Sequence, residues 1–470
     1  MVTFAVVWAI WGQRNKRISS GSIAFDPGSL INTHSILIPR LSFKKTRPTT
    51  TIFFFFLVTV LLVNLTEKVH SETATQHDQQ KIQRIIQPFN VLNFGAIGDG
   101  VHDDTRAFLD AWSATCRGAT GLPKMVVPGG RTFLLGPTQF VGPCSKKNVI
   151  VQISGLIVAP ISPRDWRFSG DNKRWILFSD VRGLTVNGGG IIDGRGKIWW
   201  ENSCNNEYHR NRPGCSSTQP ASINFLRTHD SRFKDITVKN SPMFHVTLLD
   251  LNNFEMQNIR VDSPENSPNT DGLHTQNVNQ VNISNSDFRS GDDCVSIGNS
   301  SSHVYIRDCH CGPGHGVSIG SLGENGHLAE VNNIHVESVN FYGTMNGIRI
   351  KTWLDGKGEC HSLSFKSCNF INVLNPIIID QYYFSKSSQE VSAVKIFNIT
   401  CEDLEGTVDL RTPSAISLRC SNIVACTGLR FRNITFRPTD LTKNLITTCN
   451  NARGTVVGRV DPPLGCLKPG

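Results

Sequence analysis

The chain has 470 residues, of which 39% are hydrophobic and 18% are charged, and its formal net charge at pH 7 is +9. Residues 1–71 hold eight of the 47 basic residues and two of the 38 acidic residues, so the remainder carries 39 and 36, a net charge of +3. This small charge excludes a general nucleic-acid binder but permits a local basic groove for an acidic polymer.

Residues 1–71 show no repeat pattern and are predicted to form a leader. In this leader Lys44, Lys45 and Arg47 precede an apolar run over residues 52–63, and the small residue Ser71 follows. This order is typical of a secretory signal, and the run is too short to cross a membrane comfortably. An uncleaved signal anchor is the alternative. We therefore predict one domain over residues 72–470, and a secreted protein without a membrane contact after cleavage.

All fourteen cysteines follow the leader. Their even number, together with a secretory signal, favours disulfides over zinc sites or free thiols. No Cys-x-x-Cys pair is present, and Cys309-x-Cys311 is too tight for an ordinary zinc knuckle. Glycosylation sequons, which fit the same secretory route, begin at Asn282, Asn299, Asn398 and Asn433.

A short helix is predicted near the start of the domain. Residues 91–96 read as a strand, residues 98–105 as a turn rich in Gly and Asp, and residues 107–112 as the buried stripe of a helix with Asp103 or Asp104 as N-cap. Such a helix would cover the open end of a solenoid. The acids in this segment are therefore interpreted as caps and not as catalytic groups.

Short alternating strands separated by Gly, Asn, Asp or Ser recur from about Val126 onward. Five isoleucines mark the repeat at intervals of 23, 24, 23 and 28 residues: Ile236, Ile259, Ile283, Ile306 and Ile334. A steady period with strand alternation predicts an all-β parallel β-helix, in which most Asn residues form turns. Leucine-rich repeats share this length, but the leucine and asparagine positions do not match. A sandwich or barrel is the weaker alternative because it would show hairpin turns.

Four side chains with acid/base chemistry are spaced by about one coil of this repeat. Asp271 precedes Asp292 by 21 residues, and Asp293 precedes His315 by 22. Residues one coil apart stack about 4.8 Å from each other, so these groups are predicted to form one cluster. Three clustered carboxyl groups cannot all ionise cheaply, and a protonated and an ionised carboxyl are what glycoside hydrolysis requires. Gly-Asp-Asp alone is also compatible with a calcium or magnesium site or with a solvated turn.

The neighbours of this cluster favour a sugar that bears a carboxylate. His315 lies between glycines that allow a ligand to approach the backbone closely. Arg349 and Lys351 alternate along a strand and therefore face the same side. Arginine binds carboxylates in a bidentate manner, and lysine adds a second point charge. Taken alone, the two cations are also compatible with a surface ion-pair network.

Together these motifs resemble those of a known family. The four ordered segments resemble the signature motifs of the polygalacturonases, which are the pectin-cleaving family 28 glycoside hydrolases, and the plant members in particular. The resemblance extends from about Val91 to Cys466. The segments are Ser267-Pro268-Asn269-Thr270-Asp271-Gly272, Gly291-Asp292-Asp293-Cys294, Gly314-His315-Gly316 and Arg349-Ile350-Lys351.

The resemblance implies a single-stranded, right-handed parallel β-helix that hydrolyses α-1,4-galacturonosyl linkages of pectin with inversion. It implies that Asp292 is the general acid, that Asp271 and Asp293 hold and deprotonate the water, and that His315 tunes the acid or holds substrate. No cofactor or metal is implied, and we expect a monomer located in the cell wall.

The resemblance also assigns substrate contacts and disulfides. Arg349 and Lys351 would bind galacturonate carboxylates, with Asn269 beside them. The aromatic residue that contacts the sugar aligns with Tyr383 or with its neighbour Tyr382. Relatives often carry Asn-Tyr-Cys at this point, where this chain has Tyr-Tyr-Phe. The implied disulfides join Cys294 to Cys311, Cys420 to Cys426, and Cys449 to Cys466.

Three alternatives to a polygalacturonase follow from the same sequence. The first is a hydrolase of a related polymer such as rhamnogalacturonan or xylogalacturonan, although the Arg/Lys pair favours uninterrupted galacturonate. The second is a calcium-dependent pectate lyase on the same scaffold. The third is a wall-binding protein without catalysis, against which stands the presence of every acid in the cluster.

Overall fold

The structure is a computed structural model, and it describes residues 86–166, 173–204, 215, 218–383, 392–411 and 414–470. All described residues lie in one compact unit, Asp78–Gly470. The predicted leader over residues 1–71, with its apolar run, lies outside the described residues. Within the described part, no helix is both long enough and apolar enough to span a membrane.

Thirty-one strands, two α-helices and three short 3-10 helices make up the described part of the chain. The strands are β1 (Ile86–Asn90), β2 (Asp99–Asp103), β3 (Leu122–Val127), β4 (Thr132–Leu134), β5 (Thr138–Val141), β6 (Ile150–Ile153), β7 (Leu156–Val158), β8 (Arg174–Ser179), β9 (Thr185–Asn187), β10 (Ile191–Asp193), β11 (Ala221–Leu226), β12 (Ser231–Lys239), β13 (Val246–Asp262), β14 (Leu273–Ser284), β15 (Asp287–Arg289), β16 (Val295–Ile297), β17 (Ser301–Arg307), β18 (His310–Cys311), β19 (Val317–Leu322), β20 (Leu328–Glu337), β21 (Asn340–Tyr342), β22 (Asn346–Thr352), β23 (Lys357–Lys366), β24 (Asn369–Val373), β25 (Asn375–Asp380), β26 (Lys395–Val408), β27 (Ser414–Arg419), β28 (Cys426–Pro438), β29 (Ile446–Asn450), β30 (Ala452–Asp461) and β31 (Lys468–Pro469). The helices are α1 (Thr105–Arg117) and α2 (Lys197–Glu201), and the 3-10 helices are η1 (Val91–Phe94), η2 (Pro163–Asp165) and η3 (Glu324–Gly326).

The strands wind as successive coils and form three parallel sheets, and long strands such as β13 and β26 run through more than one of these sheets. In the central coils, for example, β16, β17 and β18 pair with β19, β20 and β21 of the next coil, and these pair with β22, β23 and β24. All these pairings are parallel. The predicted parallel β-helix is therefore confirmed.

One of the three sheets, which we call the site sheet, carries the candidate functional residues. It consists of β5, β8, β11, the first residues of β13 and β14, and then β16, β19, β22, β25, β27 and β29. In β22 the inward residues Ile348 and Ile350 are buried and Arg349 between them is partly exposed, but most outward residues of this sheet, such as Lys351, are buried as well. Inward residues form the core, so the outward ones are available for chemistry.

The isoleucine markers predict the register only in part. Ile236 pairs with Ile259, and Ile283 pairs with Ile306, each at the predicted interval. Ile259 and Ile283 are not partners, because Ile283 pairs with Met256. Ile334 pairs with Val304 and not with Ile306. The coils differ in length because the turns between their strands differ, and a single residue type at nearly equal spacing does not detect this.

Stacked side chains fill the interior of the coils. The rings of Phe178 and Phe225, on neighbouring strands of the site sheet, are stacked with centroids 5.7 Å apart. Phe225 also packs against Phe254 at 5.0 Å, and it is completely buried. Each coil repeats this burial, so the core is a continuous column along the helix axis.

Asparagine and aspartate form the corners, as predicted. Asn253, Asn258 and Asn277 have left-handed backbone conformations, with φ between 52° and 58°, which these residues tolerate better than most. Their side chains also bond between coils, since Asn258 Nδ2 donates to Asp235 Oδ1 at 2.8 Å. These contacts account for much of the asparagine content without any ligand role.

Helix α1 is the predicted N-terminal helix, and it packs against β1, β3 and β5. The capping prediction needs correction. Asp104 lies at the N-cap position but makes no side-chain cap bond; its carboxylate instead accepts hydrogen bonds from the backbone of Ile97 and Gly98 in the preceding turn. Asp103 accepts a hydrogen bond from the first helical residue, Thr105. The buried carboxylate of Asp104 therefore bonds to the preceding turn. Asp104 holds the N-cap position, but Asp103 makes the side-chain bond to the start of the helix.

Ten of the fourteen cysteines form disulfides. The structure pairs the six cysteines implied by the resemblance as expected, and it adds two further bonds. The preference for disulfides over free thiols is wrong for the other four, which are free and buried: Cys309, Cys360, Cys368 and Cys401. Burial raises the pKa of Cys360 to about 12, and these side chains pack as small apolar residues.

The Phe225→Ala substitution tests the core column. Removal of this buried ring leaves a cavity between coils, and we expect the free energy of unfolding to fall by about 3–5 kcal/mol. The matched control is Tyr342→Ala, since Tyr342 is an aromatic residue that is 64% exposed and should change the same quantity by less than about 0.5 kcal/mol. Urea unfolding measured by circular dichroism compares the two, and equal losses would contradict the stacked core.

Candidate active site

The candidate catalytic residues lie in the loops that lead into three consecutive strands of the site sheet. Asp271 precedes β14, Asp292 and Asp293 precede β16, and His315 precedes β19. Leu273 pairs with Val295, and Val295 with Val317, so the coil length here is 22 residues. Asp271 is therefore the register equivalent of Asp293, and not of Asp292.

Backbone contacts hold these loops together. The amide of Gly272 donates to the carbonyl of Asp293 at 2.9 Å, and the amide of His315 donates to the carbonyl of Asp292 at 2.7 Å. The Cys294–Cys311 disulfide joins the Asp292–Asp293 loop to the turn before His315. A Cβ atom at Gly291 would collide with the carbonyl of Ser267, so this loop packs too closely to accept a side chain there.

Asp293 is the carboxylate of a buried ion cluster. Its Oδ1 lies 2.7 Å from Arg349 Nη2, and its Oδ2 lies 2.8 Å from Lys351 Nζ. Ser318 Oγ also donates to Asp293 Oδ1 at 2.7 Å. Burial alone would raise the pKa of Asp293, but Arg349 and Lys351 outweigh it and hold the pKa below the ordinary value of 3.8. Asp293 is therefore ionised.

Asp271 is buried like Asp293, but no ion pair found among the described residues includes it. It is almost completely buried, and the Oγ atom of Ser296 lies 2.6 Å from its Oδ2. Burial, followed by the negative charges of Asp292 and Asp293, raises the pKa of Asp271 well above the ordinary value of 3.8. The pKa values of two register-equivalent carboxyl groups on neighbouring coils are thus shifted in opposite directions, and the expectation that one acid keeps its proton falls on Asp271.

Asp292 is the more accessible acid of the cluster. Its side chain is 20% exposed, and its Oδ1 lies 2.9 Å from Nδ1 of His315. Asn269 Nδ2 is 3.5 Å from Asp292 Oδ2, at the limit of a hydrogen bond. The predicted residues Asn269, Asp292 and His315 are therefore neighbours on the outer side of the acid cluster.

Tyr383 and Tyr382 differ in the cation that each ring contacts. Lys351 Nζ lies 5.3 Å from the centre of the Tyr383 ring. Tyr382 lies against Arg419, whose guanidinium carbon is 5.6 Å from the ring centre, and the Tyr382 hydroxyl accepts a hydrogen bond from the amide of Asn422. Tyr383 is thus the tyrosine that the structure brings next to the predicted cations.

The charge balance of the cluster does not suit a metal ion. Ligand atoms of Asp292, Asp293 and His315 lie within 4.8 Å of one another. Calcium and magnesium sites collect an excess of anionic oxygen ligands. Here Arg349 and Lys351 already offset the charges of two carboxylates. Among the described residues, this arrangement supports acid/base chemistry better than cation binding.

Four buried or partly buried residues of the site were not predicted. Ser296 and Ser318 contact the two buried acids, and His274 Nδ1 lies 2.8 Å from Ser296 Oγ. His245, which is fully buried, bonds through Nδ1 to the carbonyl oxygen of Asp271 at 3.0 Å. A repeated signal was available for the serines, since Val-Ser-Ile occurs at residues 295–297 and again at 317–319.

The fold and the site define a class, namely a parallel β-helix with a buried set of carboxyl groups suited to acid/base hydrolysis. Residues 116–457 match the family described as glycosyl hydrolases family 28. The chain belongs to this family and is a glycosidase.

Relatives of known sequence support the same family. A probable polygalacturonase of Arabidopsis thaliana is 38% identical over 386 residues, which is 81% of this chain and 80% of the relative. A polygalacturonase of Prunus persica is 38% identical over 384 residues, covering 81% of this chain and 93% of the relative. The match therefore includes most of both proteins.

Solved structures share the fold at lower identity. An endo-xylogalacturonan hydrolase of Aspergillus tubingensis superposes with a TM-score of 0.68 at 22% identity, covering 79% of this chain and 98% of that one. An exopolygalacturonase of Thermotoga maritima superposes with a TM-score of 0.66 at 19% identity, covering 79% and 91%. At this level of identity, these similarities support the shared β-helix fold alone.

The charge assignment of Asp271 and Asp293 is tested by replacing each of them with Asn. The two substitutions should change the free energy of unfolding in opposite directions at pH 7. Asp271 binds its proton more tightly when folded, so its contribution to stability is present below about pH 3.8 and is lost as the pH rises through its raised pKa. Asp271→Asn should therefore raise the free energy of unfolding at pH 7 and change it less at pH 3.

Asp293→Asn is the matched variant. The stabilisation from Asp293 is present above about pH 3.8 and is lost as the pH falls toward its lowered pKa. At pH 7 this substitution should cost about 3–5 kcal/mol, because it leaves Arg349 and Lys351 buried without their carboxylate. Urea titrations at both pH values measure the two variants, and stabilisation by Asp293→Asn would contradict the assignment.

Proposed function

We propose that the protein is a secreted polygalacturonase that hydrolyses α-1,4-galacturonosyl linkages of pectin in the plant cell wall. The observation that carries this proposal is the contact of Asp293 with Arg349 and Lys351, directly beside Asp271 and Asp292. Acid/base groups for a glycosidic bond and cations for a sugar carboxylate thus occupy one site. The membership of family 28 and the polygalacturonase relatives support the same substrate class.

The proposed mechanism is a single displacement. Asp292 gives its proton to the leaving glycosidic oxygen. His315 bonds to Oδ1 of Asp292 and orients the carboxyl group, so that Oδ2 is available to carry the proton. Asp293 is ionised and takes a proton from the attacking water. Asp271 holds this water without competing for its proton, because the raised pKa of its carboxyl favours the protonated form.

The two cations have a second partner in this mechanism. Arg349 and Lys351 both bond to Asp293, which lowers the pKa of that carboxylate and makes it a weak base. A galacturonate carboxylate would share these cations and loosen their hold on Asp293. Substrate binding would therefore increase the basicity of the group that activates water.

The geometry bears on the stereochemical outcome. The nearest ligand atoms of Asp292 and Asp293 lie within 4.8 Å of each other, whereas the carboxyl groups of typical inverting pairs are about 6.5–9.5 Å apart. For inversion we therefore propose a water held between Asp271 and Asp293 on neighbouring coils, and not between Asp292 and Asp293. The resemblance to the family, and not the spacing, supports inversion.

Two features support secretion. The described residues contain five disulfides, which persist in oxidising compartments. The order of basic residues, apolar run and small residue within residues 1–71 is that of a secretory signal. Both features agree with a substrate in the cell wall.

The Asp292→Asn substitution tests the general acid. An amide cannot supply the proton, so the release of reducing ends from polygalacturonate should fall by about 10²–10⁴-fold. Asp287→Asn is the control, since Asp287 is an exposed acid on the same coil and should leave the rate unchanged. Equal rates for Asp292→Asn and the unaltered protein would remove Asp292 from this role.

The substrate is tested in the same assay. Polygalacturonate, xylogalacturonan and rhamnogalacturonan are compared at equal mass, with absorbance of unsaturated products followed alongside reducing ends. We expect the highest rate on polygalacturonate, without unsaturated products and without loss of activity in the presence of a chelator. A faster rate on either of the other polymers, or an absorbance increase that a chelator abolishes, would overturn the assignment.

The anomeric form of the first product tests the single displacement. Proton NMR of a fresh digest of oligogalacturonate should show β-anomeric reducing ends before mutarotation, because inversion at an α-linkage gives the β form. Initial α-anomers would show that a carboxylate acts as nucleophile, which the short distance between Asp292 and Asp293 also permits.

A further inference from the structure

Each of the two buried acids contacts a serine that lies 25 residues after it. Ser296 contacts Asp271, and Ser318 contacts Asp293. The two serines are register partners on β16 and β19. The same pair of an acid and a serine therefore occurs twice, one coil apart. The two copies differ in the second residue that forms a hydrogen bond with the serine.

The residue behind Ser318 fixes the direction of its hydrogen bond. Arg349 Nε donates to Ser318 Oγ at 2.9 Å. A guanidinium has donors and no acceptor, so the hydroxyl proton of Ser318 can only point away from it. Ser318 then donates to Asp293, which also accepts from Arg349 and Lys351. Every partner of this carboxylate is a donor, and the ionised form is the one that fits.

The residue behind Ser296 leaves the direction open. His274 is the register partner of Ser296 on β14, and its Nδ1 lies 2.8 Å from Ser296 Oγ. A neutral imidazole accepts a hydrogen bond at one nitrogen and donates at the other. When Nδ1 accepts, Ser296 donates to His274, and its oxygen accepts a hydrogen bond from a protonated Asp271. Burial lowers the pKa of His274 to about 4, so the ring is neutral over most of the acidic range.

We propose that His274, acting through Ser296, is the positioning residue that allows Asp271 to keep its proton beside an ionised Asp293. The inference rests on the proposed function, because it concerns the carboxyl groups that hold and deprotonate the water there. A histidine behind one serine and an arginine behind the other thus give two identical acids on neighbouring coils different charges.

Other charged groups also face these residues and act in known directions. Asp292, Asp293 and Lys351 face Asp271, and Lys351 and Asp293 face His274. On the opposite side, His245 bonds to the backbone carbonyl of Asp271. None of these groups contacts Ser296 in the hydrogen bonds described for it, so a change at His274 alters the serine contact while leaving their charges in place.

The His274→Phe substitution tests the proposal directly. The ring of His274 is stacked on Phe244 at 4.7 Å, and phenylalanine preserves that stack while removing the acceptor. Ser296 should then donate to Asp271 Oδ2 at 2.6 Å, in preference to the Leu273 carbonyl at 3.5 Å, and favour the ionised form of Asp271. We expect the pKa of Asp271 to fall by about one unit, a tenfold change in proton affinity, and the high-pH limb of the kcat profile to move to lower pH by a similar amount.

Three further variants separate this role from a structural one. His274→Asn keeps an acceptor near the position of Nδ1 and should restore the profile, and it also covers the case in which His274→Phe fails to fold. Ser318→Ala removes a donor from Asp293 and should move the low-pH limb upward instead. His335→Phe is the matched control, since His335 is stacked on Tyr305 at 4.9 Å on another sheet and should change neither limb.

The measurement does not depend on the substrate. Carbon NMR of protein labelled at the aspartate carboxyl carbon, with the Asp271 signal identified by its loss in Asp271→Asn, gives the pKa of Asp271 in each variant. A lowered pKa in His274→Phe and a restored pKa in His274→Asn support the inference even if the protein does not cleave polygalacturonate. An unchanged pKa of Asp271 in a folded His274→Phe protein would overturn it, even if cleavage is confirmed.

Discussion

Backbone hydrogen bonds between parallel coils determine which side chains of this protein are neighbours. Because the strands pair in register, a residue on one coil has a fixed partner on the next, at the spacing of adjacent strands. In the site sheet this register is 22 residues over two successive steps. It brings Asp271, Asp293 and His315 onto successive coils although 44 residues of chain separate the first from the last.

Equivalent positions on neighbouring coils of the site sheet have different electrostatic environments. Two acids occupy the same position on neighbouring coils, and each contacts a serine on the coil that follows. One coil further along, Arg349 and Lys351 add positive charge on one side only. Asp293 lies next to these cations and is ionised, whereas Asp271 lies further from them and is buried beside two other acids. The position along the sheet therefore shifts the pKa values of Asp271 and Asp293 in opposite directions. In the proposed mechanism this distinguishes the base, Asp293, from the water-holding Asp271, while Asp292 supplies the acid proton.

The sequence predicted the features that depend on local patterns. Alternating apolar residues at a period near 23 predicted the β-helix, and the spacing of Asp271, Asp292, Asp293 and His315 predicted that they would meet. Features that depend on the length of each turn were not predictable in this way. The isoleucines at 259 and 283 belong to different positions of their coils because the turn between them is longer than the marker spacing implies.

Buried polar contacts were the least predictable part of the site. The composition of the chain gives no reason to separate Cys309 from Cys311, yet one is a free thiol and the other is in a disulfide. Ser296 and Ser318 are ordinary strand residues in the sequence, and only the register shows that each faces an acid. Asp104 was correctly placed at the start of a helix, but burial directs its carboxylate to the turn before it.

The crystal structure of the Asp292→Asn protein with a bound galacturonate oligomer is the most direct test of the central claim, which is that stacked coils assemble one hydrolytic site. We predict that a glycosidic oxygen lies within hydrogen-bond distance of residue 292, that a water lies between Asp271 and Asp293, and that a sugar carboxylate contacts Arg349 or Lys351. An oligomer bound on either of the other two sheets, with the site sheet empty, would contradict the account.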